Sequence, residues 1–198
     1  MKLLTVGKYL SELTNHYEYL TREVPATENP LKTRKVAYRI TDEFFNFWFR
    51  FIYHNSTALE EEPERVFEDF KSEFQAFVGK TYERIATEFV RRFDLGFRPE
   101  RVGRWWRKGE EIDVIAYNRK NVALFEVKWR DLSLRDARRI LKNLQKKANL
   151  LPLRGNYFGV IGRQLEGKEE LREEGFFAFD ISDVIALTPP TLQAPCTS

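Results

Sequence analysis

The runs Glu111-Ile-Asp113-Val-Ile-Ala-Tyr117 and Val122-Ala-Leu-Phe-Glu126-Val-Lys128 decide how this chain folds. Both runs are rich in β-branched and aromatic residues, and the polar Asn118-Arg-Lys-Asn121 between them predicts the turn of a β-hairpin. A symmetric turn of even length makes the numbers of opposed residues sum to a constant. Asp113 and Glu126 are therefore expected to face each other across two antiparallel strands.

Two opposed carboxylates at the end of an apolar hairpin require a cation. Directly opposed residues lie roughly 4.5–5.5 Å apart at Cβ, where like charges destabilise the pair. Lys128 follows Glu126 by two residues and so points to the same face of the strand. An acidic pair beside a lysine suits Mg²⁺ or Mn²⁺, together with a group that stabilises developing negative charge.

The same register allows an ordinary explanation of these charges. Glu111 would face Lys128, so that the Glu-Lys and Asp-Glu pairs could be surface charges at the rim of the sheet. A bulge in the turn would also break the register. The spacing alone leaves both interpretations open.

The composition limits the classes of protein and of site. The chain has 198 residues, 42% of them hydrophobic and 15% aromatic, which supports one sizeable core or a core with a small appendage. No run of 18 apolar residues exists, and the start lacks a signal-peptide pattern, so we expect a cytoplasmic protein without a membrane partner. The single Cys196 excludes a disulfide within the chain, and His16 and His54 are too few for a His-rich metal centre.

The distribution of basic residues is more informative than the net charge of +3. One basic and aromatic cluster spans 91–108, and a second basic series spans 130–147. Within the second, Arg135, Arg138 and Lys142 are candidates for contact with a nucleic-acid backbone. A solvated helix face is an equally open explanation.

A polar, acidic break at 55–63 separates two aromatic-rich parts of the chain. Before it, residues 1–55 predict a partial winged-helix segment. Its elements are a helix at 4–14, strands at 16–24 and 34–40, and an aromatic helix at 44–52 that Thr41 or Asp42 caps. The aromatic helix is expected to pack on the rest of the chain or on a second copy.

After the break, residues 64–187 predict an α/β domain, and 188–198 a flexible tail. A helix at 64–93 carries an apolar stripe, and Gly96 begins a basic loop that leads to the hairpin. The later elements are a helix at 133–150 capped by Ser133, a strand at 156–161, a helix at 168–174 and a strand at 176–179. The residues expected in the stripe of the first helix are Phe70, Phe74, Phe77, Val78, Ile85, Phe89 and Phe93.

This α-β-β-α-β order, with Asp113 and Glu126-Val-Lys128, resembles the PD-(D/E)XK nuclease superfamily over residues 65–185. The resemblance implies a restriction-endonuclease-like mixed sheet flanked by helices. Gly79-Lys-Thr-Tyr-Glu83 resembles the start of archaeal Holliday-junction resolvases, which implies Glu83, Asp113 and Glu126 as metal ligands and Lys128 as a further catalytic residue. Helical spacing places Glu83 nearly opposite Ile85, so that Glu88, which flanks the stripe, stays an alternative for the first-helix acid.

A narrower resemblance covers more of the chain. The run from Tyr38 to Phe51 resembles the segment after the winged helix in archaeal P-loop ATPases whose C-terminal domain is of the DUF234 type. Glu110-Glu-Ile-Asp-Val-Ile-Ala116 and Glu126-Val-Lys-Trp129 are similar to that domain as well. The chain lacks the ATPase module, which implies a C-terminal fragment or a remnant encoded alone.

Together these features predict a Mg²⁺- or Mn²⁺-dependent nuclease that cleaves nucleic-acid phosphodiesters, with DNA as the expected substrate. Lys128 would orient the attacking water or stabilise the pentavalent phosphate. The alternative is a non-catalytic domain that couples an archaeal ATPase to DNA or to a partner protein. The expected partners are DNA, a P-loop ATPase module and a second copy of the chain.

Overall fold

The computed structural model describes residues 3–154 and 157–187. The chain divides into two compact units, Met1–Val78 and Gly79–Ser198, and the long helix Pro63–Arg92 contributes to both. The flexible tail expected at 188–198 lies outside the described residues. No helix within the described ranges has both the length and the apolar character that crossing a membrane requires.

The first unit contains helices and a small antiparallel sheet. Its elements are α1 (Leu3–Asn15), β1 (Leu20–Glu23), β2 (Ala37–Ile40), α2 (Glu43–Phe47), a π-helical turn (Trp48–Ile52), a 3-10 turn (Tyr53–Asn55), α3 (Ser56–Glu61) and the first half of α4 (Pro63–Arg92). Both predicted strands form and pair with each other, from Leu20 opposite Ile40 to Glu23 opposite Ala37. They are shorter than expected.

The aromatic segment is less regular than the single helix that its sequence predicts. Asp42 caps α2 as expected, because its carboxylate accepts the N–H of Phe45 at 3.0 Å. The buried Phe51 packs its ring 5.1 Å from that of Phe70 and 5.4 Å from that of Phe77, both on α4. This packing joins the aromatic segment to the first half of α4, so the compact unit extends to Val78 and not only to residue 55.

The second unit is a five-stranded mixed sheet flanked by helices. Its elements are the second half of α4, β3 (Arg101–Arg107), β4 (Glu110–Tyr117), β5 (Val122–Leu132), α5 (Leu134–Ala148), β6 (Tyr157–Leu165), α6 (Lys168–Glu173), β7 (Phe177–Phe179) and α7 (Ile181–Leu187). The strand order is β3-β4-β5-β6-β7. The first two pairings are antiparallel and the last two are parallel.

The predicted register of the β4–β5 hairpin is confirmed. Tyr117 lies opposite Val122, and the pairing continues to Val114 opposite Phe125. The side chain of Asn118 stabilises the turn by accepting the N–H groups of Lys120 and Asn121. The backbone ladder ends at Val114, so Asp113 lies just beyond the last paired residue.

The prediction of a basic loop between Gly96 and the hairpin was wrong in part, because this segment contains the edge strand β3. This strand joins β4 through a two-residue turn in which Lys108 and Gly109 both have positive φ, at 51° and 85°. Such a turn matches the twist of a hairpin, and its usual sequence is Asn-Gly or Asp-Gly. Because Lys108 occupies the first position here, the sequence does not show the usual sign of a hairpin turn. Trp105 anchors the strand and is only 2% exposed.

Helices cover both faces of the sheet, and in the part of the chain that the structure describes their buried residues contribute to two clusters. α4 and α7 supply one cluster, while α5 and α6 supply the other; α7 was not predicted. Ser133 caps α5 as expected, since its hydroxyl accepts the N–H of Asp136. The inward position expected for Ile85 was wrong, because its side chain is 47% exposed.

Candidate active site

The buried charged side chains among the described residues are Asp113 and Glu126, which are 4% and 6% exposed. Asp113 lies at a β-bulge, where the pairing between β3 and β4 shifts by one residue opposite Arg104. The N–H of Val127 lies beyond the end of the β4–β5 ladder. It donates instead to Oδ2 of the Asp113 carboxylate, at 2.8 Å. The bulge therefore directs the Asp113 side chain towards β5, where it lies beside Glu126.

Lys128 connects the two carboxylates. Its Nζ lies 3.2 Å from Oδ2 of Asp113 and 3.0 Å from Oε2 of Glu126. Three residues that the sequence analysis selected are thus brought together by the hairpin register and by strand alternation. Burial works to lower the pKa of the Lys128 amine, but the charges of Asp113 and Glu126 outweigh it and raise that pKa.

The two buried carboxylates shift each other's pKa in opposite directions. Burial, followed by the negative charge of Glu126, raises the pKa of Asp113 from 3.8 to about 6. Burial also opposes ionisation of Glu126, but its hydrogen bond with Asp113 and its contacts with Lys128 outweigh this effect and lower its pKa. Two acids forced together in this way titrate as a unit, with one held protonated longer than it would be in water.

Glu83 on α4 lies near this pair, because contacts of the adjacent Tyr82 set the orientation of the helix. The buried Tyr82 hydroxyl donates to the main-chain oxygen of Gly162 at 2.7 Å, and its ring lies 5.0 Å from that of Trp129. This anchor fixes the rotation of α4 over the sheet. Burial and the charge of Asp113 together raise the pKa of Glu83, while a salt bridge from Lys80 at 2.9 Å opposes that rise.

The structure places the alternative acid, Glu88, differently. The buried positions on this part of α4 are Tyr82, Ala86, Phe89 and Val90. At about 100° per residue, Glu83 borders that buried face, whereas Glu88 lies on the opposite side of the helix. The Glu88 side chain is 57% exposed and pairs with Arg91.

Lys147 on α5 contacts the site although its sequence pattern did not predict this. Its Nζ contacts Oε1 of Glu126 and donates to the main-chain oxygen of Glu111 at 3.0 Å. The ammonium group lies 21 residues from Glu126 along the chain. Since Lys147 is one of six basic residues in α5, its spacing carries no signal that would distinguish it.

The charges of the hairpin do not form the surface pairs that the ordinary explanation predicted. The cation on Lys128 pairs with Asp113 and Glu126, and the carboxylate of Glu111 pairs with Arg104 instead. That hydrogen bond and the surrounding positive charges lower the pKa of Glu111. The site is therefore a mixed network of four acids and four cations, Glu83, Glu111, Asp113 and Glu126 with Lys80, Arg104, Lys128 and Lys147.

The donor set suits a hard divalent cation only in part. Within residues 3–154 and 157–187, the His, Cys, Asp and Glu side chains form no group of three or more that could hold a metal ion. Asp113 and Glu126 nevertheless offer paired oxygen donors in a buried site. Mg²⁺ commonly binds through one or two carboxylates and completes its shell with water and phosphate oxygens, so the pair fits this ion.

The three residues expected to contact nucleic acid, Arg135, Arg138 and Lys142, are all exposed on α5. Arg138 pairs with Glu170 and Glu174 on the neighbouring α6 segment. Counting about 100° per residue from the buried Ala137, Leu141 and Leu144, these three residues lie on the flank of α5 opposite to Lys147. The structure thus separates them from the flank of the helix that contacts Glu126.

Comparisons with known proteins find similarity to a relative, a solved structure and a family model. Over 169 residues, or 81% of the chain, it is 37% identical to an uncharacterized protein of Methanocaldococcus jannaschii, and it spans 38% of that protein's length. A solved structure of a protein from Vibrio cholerae aligns with 92% of this chain and 40% of its own, at 14% identity and a TM-score of 0.37. Residues 48–140 match the model of DUF234, a family described as archaeal and bacterial proteins of unknown function.

Proposed function

We propose that the second unit is a metal-dependent phosphodiester hydrolase of the PD-(D/E)XK type that cleaves nucleic acid, with DNA as the first substrate to test. One observation carries the proposal: Asp113 and Glu126 are buried side by side, and Lys128 lies within 3.2 Å of both. Burying two like charges side by side costs free energy unless a counter-ion neutralises them. Proteins retain such pairs mainly at functional sites. Perturbed carboxylates with a specific lysine partner are typical of catalytic sites.

Asp113 and Glu126 would hold Mg²⁺ or Mn²⁺, and Glu83 would contribute from the neighbouring helix. When bound, the ion supplies a water of lowered pKa and neutralises charge on the phosphate. The chain positions these acids through the N–H of Val127, which fixes the Asp113 carboxylate, and through Tyr82, which orients the helix that carries Glu83.

Lys128 has a different role in this proposal. Its ammonium lies on the carboxylate pair, where it can donate to an attacking water or to a phosphate oxygen that gains charge. Lysine is a compact point charge with three donors on a flexible stem, so it can shift from a carboxylate to a phosphate over a short distance. Its removal should lower turnover more than metal affinity.

The cations around the acids would guide the phosphate backbone. Lys80 and Arg104 border the site through their contacts with Glu83 and Glu111. Arg135 and Lys142 are proposed as more distant contacts on the outer face of α5. Phosphate contacts of this kind provide affinity with little sequence specificity, and their strength falls steeply with salt.

The proposal is tested by cleavage assays on branched, single-stranded and duplex DNA with Mg²⁺ or Mn²⁺. Activity should require the metal and disappear in Asp113→Asn and Glu126→Gln. Lys128→Met should retain metal binding but lose turnover by on the order of a hundredfold or more. Lys146→Met, which removes an exposed lysine of α5, is the matched control and should retain activity. Cleavage that persists in both acid variants would contradict the assignment.

A second candidate function is a non-catalytic domain that couples a P-loop ATPase to DNA or to a partner protein. The observation in its favour is that Lys128 and Lys147 already neutralise Glu126. A closed network of this kind can stabilise a fold without turnover. Calorimetric titration of Mn²⁺ into wild type and Asp113→Asn separates the two functions, because only the hydrolase requires binding that depends on Asp113.

A further inference from the structure

Lys147 forms a second cationic contact to the buried carboxylate of Glu126. Lys128 lies 3.0 Å from Oε2 of Glu126, while Lys147 contacts the other oxygen, Oε1. The Lys147 side chain is 26% exposed, and the same ammonium also donates to the main-chain oxygen of Glu111 at 3.0 Å. Both oxygens of Glu126 are thus engaged by lysines from two different elements.

Charge balance explains why two lysines are needed. Glu126 is almost fully buried, and a buried carboxylate without a counter-ion is strongly destabilising. Lys128 must divide its charge between Asp113 and Glu126. Once both acids are ionised, Lys147 supplies the positive charge that Lys128 alone cannot.

We propose that Lys147 is the internal counter-ion of Glu126 in the metal-free protein and competes with a divalent cation for that carboxylate. This inference rests on the proposed function, since it assigns Glu126 to the metal. The lysine stem is flexible, and its existing hydrogen bond to the main-chain oxygen of Glu111 would retain the ammonium nearby when it leaves Glu126. α5 would in this way neutralise the charge of Glu126 before the cation binds.

A purely positioning role predicts the opposite effect on metal affinity. If Lys147 only held Glu126 in the correct orientation, removing it would weaken metal binding. If Lys147 competes with the metal, removing its charge relieves repulsion and strengthens binding. The sign of the change therefore decides between the two roles.

The first arm of the experiment measures thermal unfolding of the metal-free chain. Lys147→Met should lower the midpoint by about 5 °C, whereas Lys146→Met, from the exposed face of the same helix, should leave it nearly unchanged. In a Glu126→Gln background the Lys147→Met effect should fall to less than half. Equal effects in both backgrounds would overturn the counter-ion role. Lys147→Gln, which retains donors without the charge, serves as the second variant if Lys147→Met does not fold.

The second arm measures Mn²⁺ affinity by calorimetry. Lys147→Met and Lys147→Gln should bind Mn²⁺ on the order of tenfold more tightly than wild type, and Lys146→Met should match wild type. Unchanged or weaker binding in the Lys147 variants, while wild type still binds in an Asp113-dependent manner, would overturn the competition and leave the proposed function intact. No Mn²⁺ binding in any variant would overturn the proposed metal site itself, and the unfolding arm would then decide the counter-ion role alone.

Discussion

The two units of this chain bury their hydrophobic residues to very different extents. In the second unit a five-stranded sheet has helices on both faces, and residues such as Ile112, Phe125 and Leu144 are completely inaccessible. In the first unit the sheet has only two strands, and aromatic rings such as Phe44 and Tyr53 are 64% and 57% exposed. A sheet covered on both sides provides a dry interior, whereas a two-stranded ribbon does not.

This difference has a direct bearing on function. A dry and rigid interior is what allows the second unit to hold Asp113 beside Glu126, because only a well-packed surrounding can maintain such a costly pair. The first unit instead presents aromatic surface of a kind that soluble proteins often use for binding. Its contact with a second copy or another partner stays a prediction, which light scattering of the purified chain would test.

The largest expected effect tests the interior of the first unit. Phe51→Ala should lower the free energy of unfolding by about 3 kcal/mol, because its ring packs between Phe70 and Phe77. Phe49→Ala, from the same aromatic segment but 47% exposed, is the matched control and should cost less than about 1 kcal/mol. Urea denaturation measures both variants, and similar losses would show that the first unit has no distinct interior.

Gly159 provides the corresponding test in the second unit. A Cβ at this position would lie 2.5 Å from the ring of Phe125 and 2.8 Å from Cβ of Phe177. Gly159→Ala should therefore destabilise the chain by about 2 kcal/mol. In the first unit, Gly7→Ala meets no atom within 4 Å and replaces a glycine inside α1, so denaturation should show a neutral or slightly stabilising change. Equal changes in stability for Gly159→Ala and Gly7→Ala would show that the two units do not differ in packing at these positions.

The charged interior of the second unit predicts a dependence of stability on pH. Because the pKa of Asp113 is about 6 in the folded chain and 3.8 as its ordinary value, the folded state holds this proton more tightly than the unfolded state. The contribution is fully favourable below about pH 4 and is lost as pH rises through about 6. Asp113→Asn should remove that loss and gain on the order of 2 kcal/mol at pH 7. Urea unfolding measured between about pH 4 and 8 checks this, and a pH profile that Asp113→Asn leaves unchanged would contradict it.

The smallest effect distinguishes Glu83 from Glu88, the two candidate metal ligands on α4. Glu83→Gln should weaken Mn²⁺ binding by on the order of tenfold, because Glu83 interacts electrostatically with Asp113. Glu88→Gln, on the far side of the helix, should bind Mn²⁺ like wild type in calorimetric titration. The reverse result would restore Glu88 as the first-helix acid.

Local sequence determined the central hairpin and the helix caps. The alternation of apolar residues and the symmetric turn at Asn118 were sufficient to predict the pairing of Tyr117 with Val122, because register depends on turn length. Ser133 and Asp42 cap their helices as expected, because capping involves only residues three positions apart. Strand periodicity then placed Lys128 on the side of Glu126.

Elements that depend on distant packing were harder to predict. β3 forms because β4 pairs with it and Trp105 is buried, while its Lys108-Gly109 turn has an unusual first residue. The first unit extends into α4 because Phe51 packs on residues of that helix. In both cases the partner lies outside the segment whose sequence was being interpreted.

The residues of the candidate site also differ in whether local sequence or distant packing positions them. The sequence by itself determined that Glu126 and Lys128 share one face of β5 and that the hairpin brings Asp113 close to them, whereas the bulge opposite β3 directs the Asp113 side chain. Only the tertiary structure decided that Glu83 borders the site and that Lys147 contacts Glu126. Those contacts depend on how α4 and α5 rotate over the sheet, and this rotation is set by buried partners such as Tyr82 that lie far away in the chain.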